Sequence, residues 1–324
     1  MTSTISSAPA VFDPFQYEVE LPHEIKVYAQ GFPMRVITNS LDVIRTVEES
    51  WSGFPQLFND HSLEFRVVVS DDQEAQRPST MVSRVHKHLI TTTTDEKDFT
   101  VGDLDRGIAS FWISPASARD REFLRSYHLH NMMYIMLWHG HMTMVHAACV
   151  ARNGRGVLLC GVSGAGKSCL SFACARRGWT FITDDGVSLA RRSEKRMVVG
   201  TPREMRFRPT AVDVLPELEG HLTLIKPWNK FSFHPPKDAF PEFHRELYTY
   251  VDAVVFLNRP AGGPATLVPM SSEEAFTRLD RELPMMEQIE DQRASLLKLV
   301  EARSYELRYT DLHDAINTLE SLVS

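Results

Sequence analysis

The pattern of apolar and polar residues divides the first third of the chain into short strand-like segments. The predicted strands are residues 25–29, 34–38, 63–67, 86–92, 99–101 and 108–113. A helix is predicted from Asn39 or Ser40 to about residue 51, because both residue types cap helix starts well. Together these elements predict a small α+β domain at residues 17–114. A loose tail at residues 1–16, which carries Ser, Thr, Ala and Pro, is expected to precede it.

From about residue 114 onward, the pattern predicts longer helices between the strands. Ser114 or Ser117 is expected to cap a helix that runs to about residue 139. The strands predicted after it are residues 144–151, 157–160, 179–183, 186–190, 197–200, 253–257, 265–268 and 305–309. The later helices predicted are residues 169–177, a helix starting at Ser271 or Ser272, residues 294–302 and residues 311–322. This pattern predicts a mixed α/β domain at residues 115–324. Within it, the polar stretch 201–241 is expected to form a lid or a substrate-binding region.

One stretch carries a complete phosphate-binding pattern. Residues 161–168 fit G-x-x-x-x-G-K-[ST] at every fixed position, between a predicted strand and a predicted helix. The glycines permit a tight turn and a close approach to an anion, and loop N–H groups can then point at phosphate. Lys167 is placed to reach the β- and γ-phosphates of ATP, and the Ser168 hydroxyl to bind Mg²⁺. The predicted nucleotide contacts are Gly161, Val162, Ser163, Gly164, Ala165, Gly166, Lys167, Ser168 and Cys169.

Two adjacent carboxylates end the next predicted strand. Asp184 and Asp185 directly follow residues 179–183. A carboxylate at a strand end near a phosphate loop is where a second Mg²⁺ contact belongs. Neighbouring residues on an extended chain point in opposite directions, but if the strand ends here, the two aspartates can turn apart and take separate roles.

Composition and charge exclude several classes of partner. The net charge is −7 and Lys and Arg are scattered, which argues against nucleic acid as the main partner. No apolar run approaches the roughly 18 residues of a membrane span, and no signal-peptide pattern opens the sequence. These features predict a cytoplasmic protein. The cysteines fit no zinc-binding or C-x-x-C spacing and are expected to be reduced and buried: Cys149, Cys160, Cys169 and Cys174.

The stretch from His146 to Asp185 resembles the catalytic domain of the HPr kinase/phosphorylase family, whose fold is related to that of phosphoenolpyruvate carboxykinase. The shared features are a strand bearing His146, a Gly-x-Gly turn at Gly154 and Gly156, the phosphate loop, an Arg-Gly pair at 177–178 and the pair Asp184-Asp185. The resemblance implies ATP- and Mg²⁺-dependent phosphorylation of a Ser hydroxyl on a protein or peptide. It also implies the possibility of a homo-oligomer.

By position, the resemblance implies a role for each of these residues. Asp184 is expected to be the general base for the acceptor hydroxyl and Asp185 to contact the metal, although the two roles can be exchanged. His146 is expected to lie beside the site and to orient one aspartate, or else to be a packed histidine in a strand. Lys167 and the loop amides are expected to hold phosphate.

The sequence departs from the family pattern after the aspartates. The family's Glu-x-Arg-Gly segment has its nearest counterpart at Glu204-Met205-Arg206, where Phe207 stands in place of Gly. The N-terminal region does not resemble the usual N-terminal domain of the family's bacterial enzyme. The resemblance is therefore close only between His146 and Asp185.

These observations favour an ATP- and Mg²⁺-dependent serine kinase that acts on a protein or peptide. Two alternatives stay open at this level. One is a kinase for a small hydroxyl compound such as free serine, and the other is a nucleotide-binding regulatory protein that does not transfer phosphate.

Overall fold

The computed structural model describes residues 19–70, 81–94, 97–202, 204–225, 232–235, 239–260, 262–283 and 289–324. The chain forms two compact units, Met1–Met136 and Leu137–Ser324. Each unit holds a mixed sheet of parallel and antiparallel strands, which confirms the predicted mixed α/β class. Among the described residues, no helix combines the length and the apolar character needed to cross a bilayer. The tail predicted at residues 1–16 lies outside the described residues.

The first unit is built on a seven-stranded sheet. Its strands are β1 (His23–Ala29), β2 (Phe32–Thr38), β3 (Leu63–Val69), β4 (Val82–His86), β5 (Leu89–Thr93), β6 (Phe99–Asp103) and β7 (Ile108–Ile113). Its helices are α1 (Leu41–Trp51), α2 (Pro115–Arg119), α3 (Arg121–Phe123), a π-helical turn (Leu124–Leu129) and the start of α4 (His130–Gly140). The strand order is β1-β2-β3-β7-β6-β5-β4. Alternate residues of β3 and β7 are buried, so these central strands supply core residues such as Phe65 and Phe111.

The division between the units lies after Met136, whereas the sequence suggested a boundary after Ser114. Ser114 does cap α2, and its side chain accepts a hydrogen bond from the backbone N–H of Ser117. The backbone N–H of Ser114 donates to Asp98 at 2.6 Å, and the Ser117 hydroxyl also bonds this buried carboxylate. These bonds tie the residues after Ser114 to the first unit.

Three predicted elements are wrong in detail. The single strand expected at residues 86–92 is a hairpin, because Lys87 adopts a positive φ of 53° between β4 and β5. The single helix expected at 116–139 is divided into α2, α3, the π-helical turn and α4. The strand expected at 144–151 is interrupted at His146, and the strands before and after it pair with different partners.

The second unit is built on a larger sheet with helices on both faces. Its strands are β8 (Met142–Val145), β9 (Ala147–Arg152), β10 (Arg155–Cys160), β11 (Thr180–Thr183), β12 (Val187–Ala190), β13 (Met197–Val199), β14 (Thr223–Ile225), β15 (Ser232–His234), β16 (Tyr248–Asn258), β17 (Thr266–Met270) and β18 (Arg303–Arg308). Its helices are α5 (Lys167–Arg176), α6 (Ser272–Asp280), α7 (Ile289–Leu299) and α8 (Leu312–Val323), with 3₁₀ turns at Pro209–Asp213 and Pro216–Leu218. Strands β14 and β15 form a separate pair in the stretch predicted as a lid. Parts of that stretch, residues 203, 226–231 and 236–238, lie outside the described residues.

The long strand β16 is the centre of this sheet. It pairs in parallel with β10 on one side and β18 on the other, and its first residues pair with β13. Residues 253–257 of β16 are all buried, as expected for a strand covered on both faces. One face packs against α5 and α8, and the opposite face packs against α6 and α7.

The core under α5 contains an aromatic cluster centred on Phe172. The Phe172 ring contacts those of Phe207, Phe240 and Phe243, with centroid distances of 5.6, 4.9 and 5.3 Å. All four side chains are buried, and Phe172 has no exposed surface. Aromatic contacts of this kind stabilise a core beyond the area they bury. The cluster therefore joins α5 to the otherwise irregular segment around Phe207.

Replacing Phe172 with Ala should lower the free energy of unfolding of the second unit by about 3–5 kcal/mol, because a large cavity would remain. Urea unfolding followed by near-ultraviolet circular dichroism measures this change. Leu297→Ala is the control, since Leu297 is 54% exposed and should cost far less. Equal losses for the two variants would contradict the assignment of Phe172 to the core.

Candidate active site

Three parallel strands end at one edge of the second sheet. In the register of β10, β16 and β18, Cys160 lies opposite Phe256, which lies opposite Glu306. In α/β sheets, ligands bind beside the carboxyl ends of parallel strands. Here β10 leads into the phosphate loop, β16 is followed by Arg259, and β18 is followed by Tyr309.

The loop backbone depends on its glycines. Gly164 and Gly166 have φ values of 92° and 101°, which are strained for any residue with a side chain. A Cβ atom at Gly166 would also collide with the hydroxyl oxygen of Tyr309. That hydroxyl donates a hydrogen bond to the carbonyl of Ala165 at 3.1 Å. Tyr309 therefore holds the loop in place. Helix α5 begins at Lys167, at the end of the loop, so the free N–H groups of its first turn lie beside the loop.

Lys167 is buried inside this loop. Its ammonium donates a hydrogen bond to the carbonyl of Gly161 at 2.6 Å, and only 6% of the residue is exposed. Burial lowers the pKa of Lys167, while the negative charge of Asp185 and Glu282 opposes that shift. A buried ammonium in a glycine-rich loop is a binding group for an anion, because an anion would offset the cost of its burial.

Asp184 is a buried carboxylate next to Ser168. It is 3% exposed, accepts a hydrogen bond from the backbone N–H of Arg206 at 2.7 Å, and is also hydrogen-bonded by Ser168. Burial raises the pKa of Asp184 to about 7, against the effect of these hydrogen bonds. Burial therefore disfavours the charged form of this carboxylate, and the positive charge of Arg206 offsets only part of that effect.

The pair Ser168 and Asp184 fits a Mg²⁺ ion. A hydroxyl and a carboxylate are the oxygen ligands that this ion prefers, and Mg²⁺ is usually held by one or two protein groups together with substrate phosphates. The described part of the chain holds no group of three His, Cys, Asp or Glu residues arranged to bind a metal ion.

Asp185 has a different environment from its neighbour. Its side chain is 52% exposed, and its Oδ1 lies 3.2 Å from Nε2 of His146. The hydrogen bond with His146 lowers the pKa of Asp185 and outweighs the opposing effect of burial. Nδ1 of His146 lies 3.8 Å from Oε2 of Glu282. The two adjacent aspartates are therefore set apart, one buried and readily protonated, the other accessible and ionised.

A short extended segment brings two arginines to the site. From residue 205 to residue 208 burial alternates, with Met205 and Phe207 in the core and Arg206 and Arg208 exposed. Nη1 of Arg206 lies 3.8 Å from Oδ2 of Asp185. Nη2 of Arg208 donates a hydrogen bond to the Ser163 hydroxyl at 2.7 Å.

Comparison with known proteins identifies this region. The family model described as HPr Serine kinase C-terminal domain matches residues 139–211. This part of the chain is HPr-kinase-like. The HPr-kinase-like segment contains His146, the phosphate loop, both aspartates and Arg208.

The solved structures and the curated proteins give no further support for the function of this chain. The solved structure titled HPr(Ser) kinase/phosphatase from Coxiella burnetii aligns with 15% identity over 56% of this chain and 93% of that chain, with a TM-score of 0.30. A match at that TM-score does not bear on the fold. The search of curated proteins finds no match.

The structure brings the residues singled out in the HPr-kinase-like segment together. Lys167, Ser168, Asp184, Asp185 and His146 interact directly or through their charges. The remaining loop residues surround them, and Val162 at the loop tip is 72% exposed. The Cys169 thiol is half-buried, and burial raises its pKa, so it is protonated at neutral pH.

Sequence reasoning missed three residues that complete the site. Glu282 lies just beyond α6 and far from His146 in sequence, and Tyr309 follows the last strand of the sheet. Arg208 belongs to the polar stretch 201–241, which was expected to form a lid or a substrate-binding region, without a role for this residue. The alternation around Phe207 was a usable signal for Arg208, whereas no local pattern marks Glu282 or Tyr309.

The raised pKa of Asp184 predicts an unusual dependence of stability on pH. Well below about pH 4 the carboxyl is protonated in both the folded and the unfolded state, so it has no effect on stability. As the pH rises toward 7 the unfolded state ionises more readily, and folding loses on the order of a few kcal/mol. Asp184→Asn should remove this loss and raise Tm at pH 8 in metal-free buffer, measured by calorimetry.

Asp185→Asn is the matched control for this experiment. Because the folded state lowers the pKa of Asp185, its ionised form stabilises the fold, and that stability is lost as the pH falls. The Asn variant should therefore lose stability at pH 8. Adding Mg²⁺ at pH 8 should raise the Tm of the wild type more than that of Asp184→Asn. Parallel behaviour of the two variants would contradict the separate environments of the aspartates.

Proposed function

We propose that the protein is an ATP- and Mg²⁺-dependent kinase that transfers the γ-phosphoryl group to a Ser hydroxyl of a protein or peptide. The observation that carries this proposal is the position of an accessible, ionised carboxylate, Asp185, beside a complete phosphate loop. The match of residues 139–211 to a serine-kinase domain supports the same reaction.

The first part of the mechanism is the binding of the triphosphate. The loop amides, the start of α5 and Lys167 supply the positive potential that phosphate oxygens require. Ser168 and Asp184 supply the ligands for Mg²⁺. When bound, Mg²⁺ neutralises negative charge on the phosphate oxygens. Phosphoryl transfer needs little covalent help from a protein, so positioning and charge neutralisation provide most of the catalysis.

The second part is the activation of the acceptor. We assign Asp185 as the base and Asp184 as the metal ligand. The family resemblance suggested the opposite roles first and left their exchange open. Asp184 is buried against Ser168, whereas half of the Asp185 side chain is open to an incoming hydroxyl. The acceptor oxygen forms a bond to the γ-phosphorus, its proton passes to Asp185, and the bond to the β–γ bridging oxygen breaks. ADP leaves with that electron pair.

His146 acts through Asp185 as a positioning residue. It lies at the break between β8 and β9 and contacts both Asp185 and Glu282. A histidine held between two carboxylates has a restricted orientation. His146 therefore fixes the direction in which Asp185 presents its oxygen atoms.

A peptide acceptor is supported by the exposure of this side of the site. Asp185 and Arg206 are both accessible among the described residues, so a Ser on a longer chain can approach them. A small hydroxyl compound remains the second candidate for the acceptor. The presence of Lys167, Ser168 and both aspartates favours transfer over regulation by nucleotide binding alone. A homo-oligomer stays an expectation from the family resemblance.

The decisive experiment is mass spectrometry of a reaction that contains the protein, ATP, Mg²⁺ and host-cell extract. We expect a peptide that gains one phosphoryl group on Ser. Lys167→Ala should abolish this product, because the loop would lose the ammonium that contacts phosphate. Asp185→Asn should lower the rate by about 10²–10⁴ while ATP binding survives, since it removes only the base.

Asp184→Asn serves as the comparison for the assignment of roles. It should raise the Mg²⁺ concentration needed for half-maximal rate, whereas Asp185→Asn should not. The opposite pattern would return the role of base to Asp184. A phosphorylated metabolite in place of the peptide would identify a small-molecule kinase, and ATP binding with neither product would support the regulatory alternative.

A further inference from the structure

Arg208 reaches the phosphate loop because of the local backbone pattern. Phe207 is buried against Phe172, which anchors the segment to the core beneath α5. Arg208 has extended backbone angles, so its side chain emerges on the side opposite to that of Phe207. The aromatic anchor thus sets the position of the guanidinium.

The guanidinium lies against the tip of the loop. Nη2 donates to Oγ of Ser163 at 2.7 Å, and a Cβ atom at Gly164 would lie 3.3 Å from Nη1. The glycine leaves the space that the guanidinium occupies. The hydrogen bond to Ser163 and the space left by Gly164 therefore define its location.

The guanidinium groups of Arg208 and Arg206 have different surroundings. Arg206 lies within ion-pair distance of Asp185 and Glu204. For Arg208, the described residues provide a neutral hydroxyl and no carboxylate at ion-pair distance. A guanidinium forms much stronger, often bidentate, hydrogen bonds to phosphate than to a hydroxyl. The Ser163 contact is therefore one that a phosphate group can readily replace.

We propose that Arg208 is a further catalytic residue, which binds the γ-phosphoryl group of ATP during transfer. This inference rests on the proposed function. Arg206 and Arg208 are two residues apart on one side of an extended segment, a spacing of about 7 Å. Arg206 contacts Asp185, the proposed base, and Arg208 contacts Ser163 in the phosphate loop, so the segment extends from the base to the loop.

The charge balance of the reaction explains what Arg208 contributes. As the acceptor oxygen bonds to the γ-phosphorus and its proton passes to Asp185, the bond to the bridging oxygen breaks and ADP carries the electron pair away. The negative charge on the moving phosphoryl oxygens has to be compensated throughout this step. Arg208 provides a fixed positive charge at that place from within the same chain.

The test compares the affinities for ATP and for ADP, each with Mg²⁺, by calorimetry. Arg208→Ala should weaken ATP binding by about 10–100-fold, the effect of losing charge-assisted hydrogen bonds, and should affect ADP far less. Arg208→Lys should recover part of the loss, because it keeps the charge without the bidentate geometry. In the phosphopeptide assay, Arg208→Ala should lower kcat by on the order of 10³, as for other arginines that contact a transferred phosphoryl group.

The matched control is Arg176→Ala. It removes the same charge from the last turn of α5, the helix that begins at the loop, where Arg176 pairs with Glu242 at the surface. The ratio of ATP to ADP affinity should not change in this variant. Ser163→Ala is the second comparison, because it removes the hydroxyl bonded by Arg208 and keeps the loop amide.

Each outcome decides the proposal. A reduced preference for ATP in Arg208→Ala, larger than that in Ser163→Ala, supports it. An unchanged preference, or an equal effect of Ser163→Ala, would reduce Arg208 to a structural contact of the loop and leave the kinase proposal intact. Failure of the wild type to bind either nucleotide would overturn the kinase proposal itself and, with it, the role of Arg208.

Discussion

The parallel pairing of β16 with β10 and β18 is the constraint on which the second unit depends. A buried strand must satisfy its backbone N–H and C=O groups on both sides, which determines its neighbours and its register. That register makes three strands end together. The phosphate loop and Tyr309 therefore meet without any direct relation in sequence, and the Tyr309 hydroxyl stabilises the loop conformation.

Buried charge determines the chemistry of the site that results. Lys167 and Asp184 both lie in surroundings that disfavour their charged forms, so each is poised to interact with a charge of opposite sign. Asp185 has the opposite character, because its hydrogen bond with His146 lowers its pKa and keeps it ionised. Buried charges of this kind are costly by themselves, and the binding of a metal and a polyphosphate would offset that cost.

Local sequence patterns were sufficient for the parts of the site that are local in structure. The glycine spacing identified the loop, and the strand before Asp184 placed the two carboxylates beside it. Patterns failed where tertiary packing decides the outcome. The break at His146 arises because β8 and β9 pair with different strands, and Glu282 reaches His146 only through the packing of α6. The residues after Ser114 join the first unit because of Asp98, a distant buried partner.

The alternation from Met205 to Arg208 has an evolutionary consequence. Core and site residues occupy alternate positions of one extended segment, so the side to which each residue points depends on its place in the alternation. Many substitutions at the exposed positions would leave the fold intact. The insertion or deletion of a single residue would instead exchange the two sides, placing guanidinium groups in the aromatic cluster and the Phe207 ring over the loop. Descendants of this chain can vary the chemistry of the segment, but not its length.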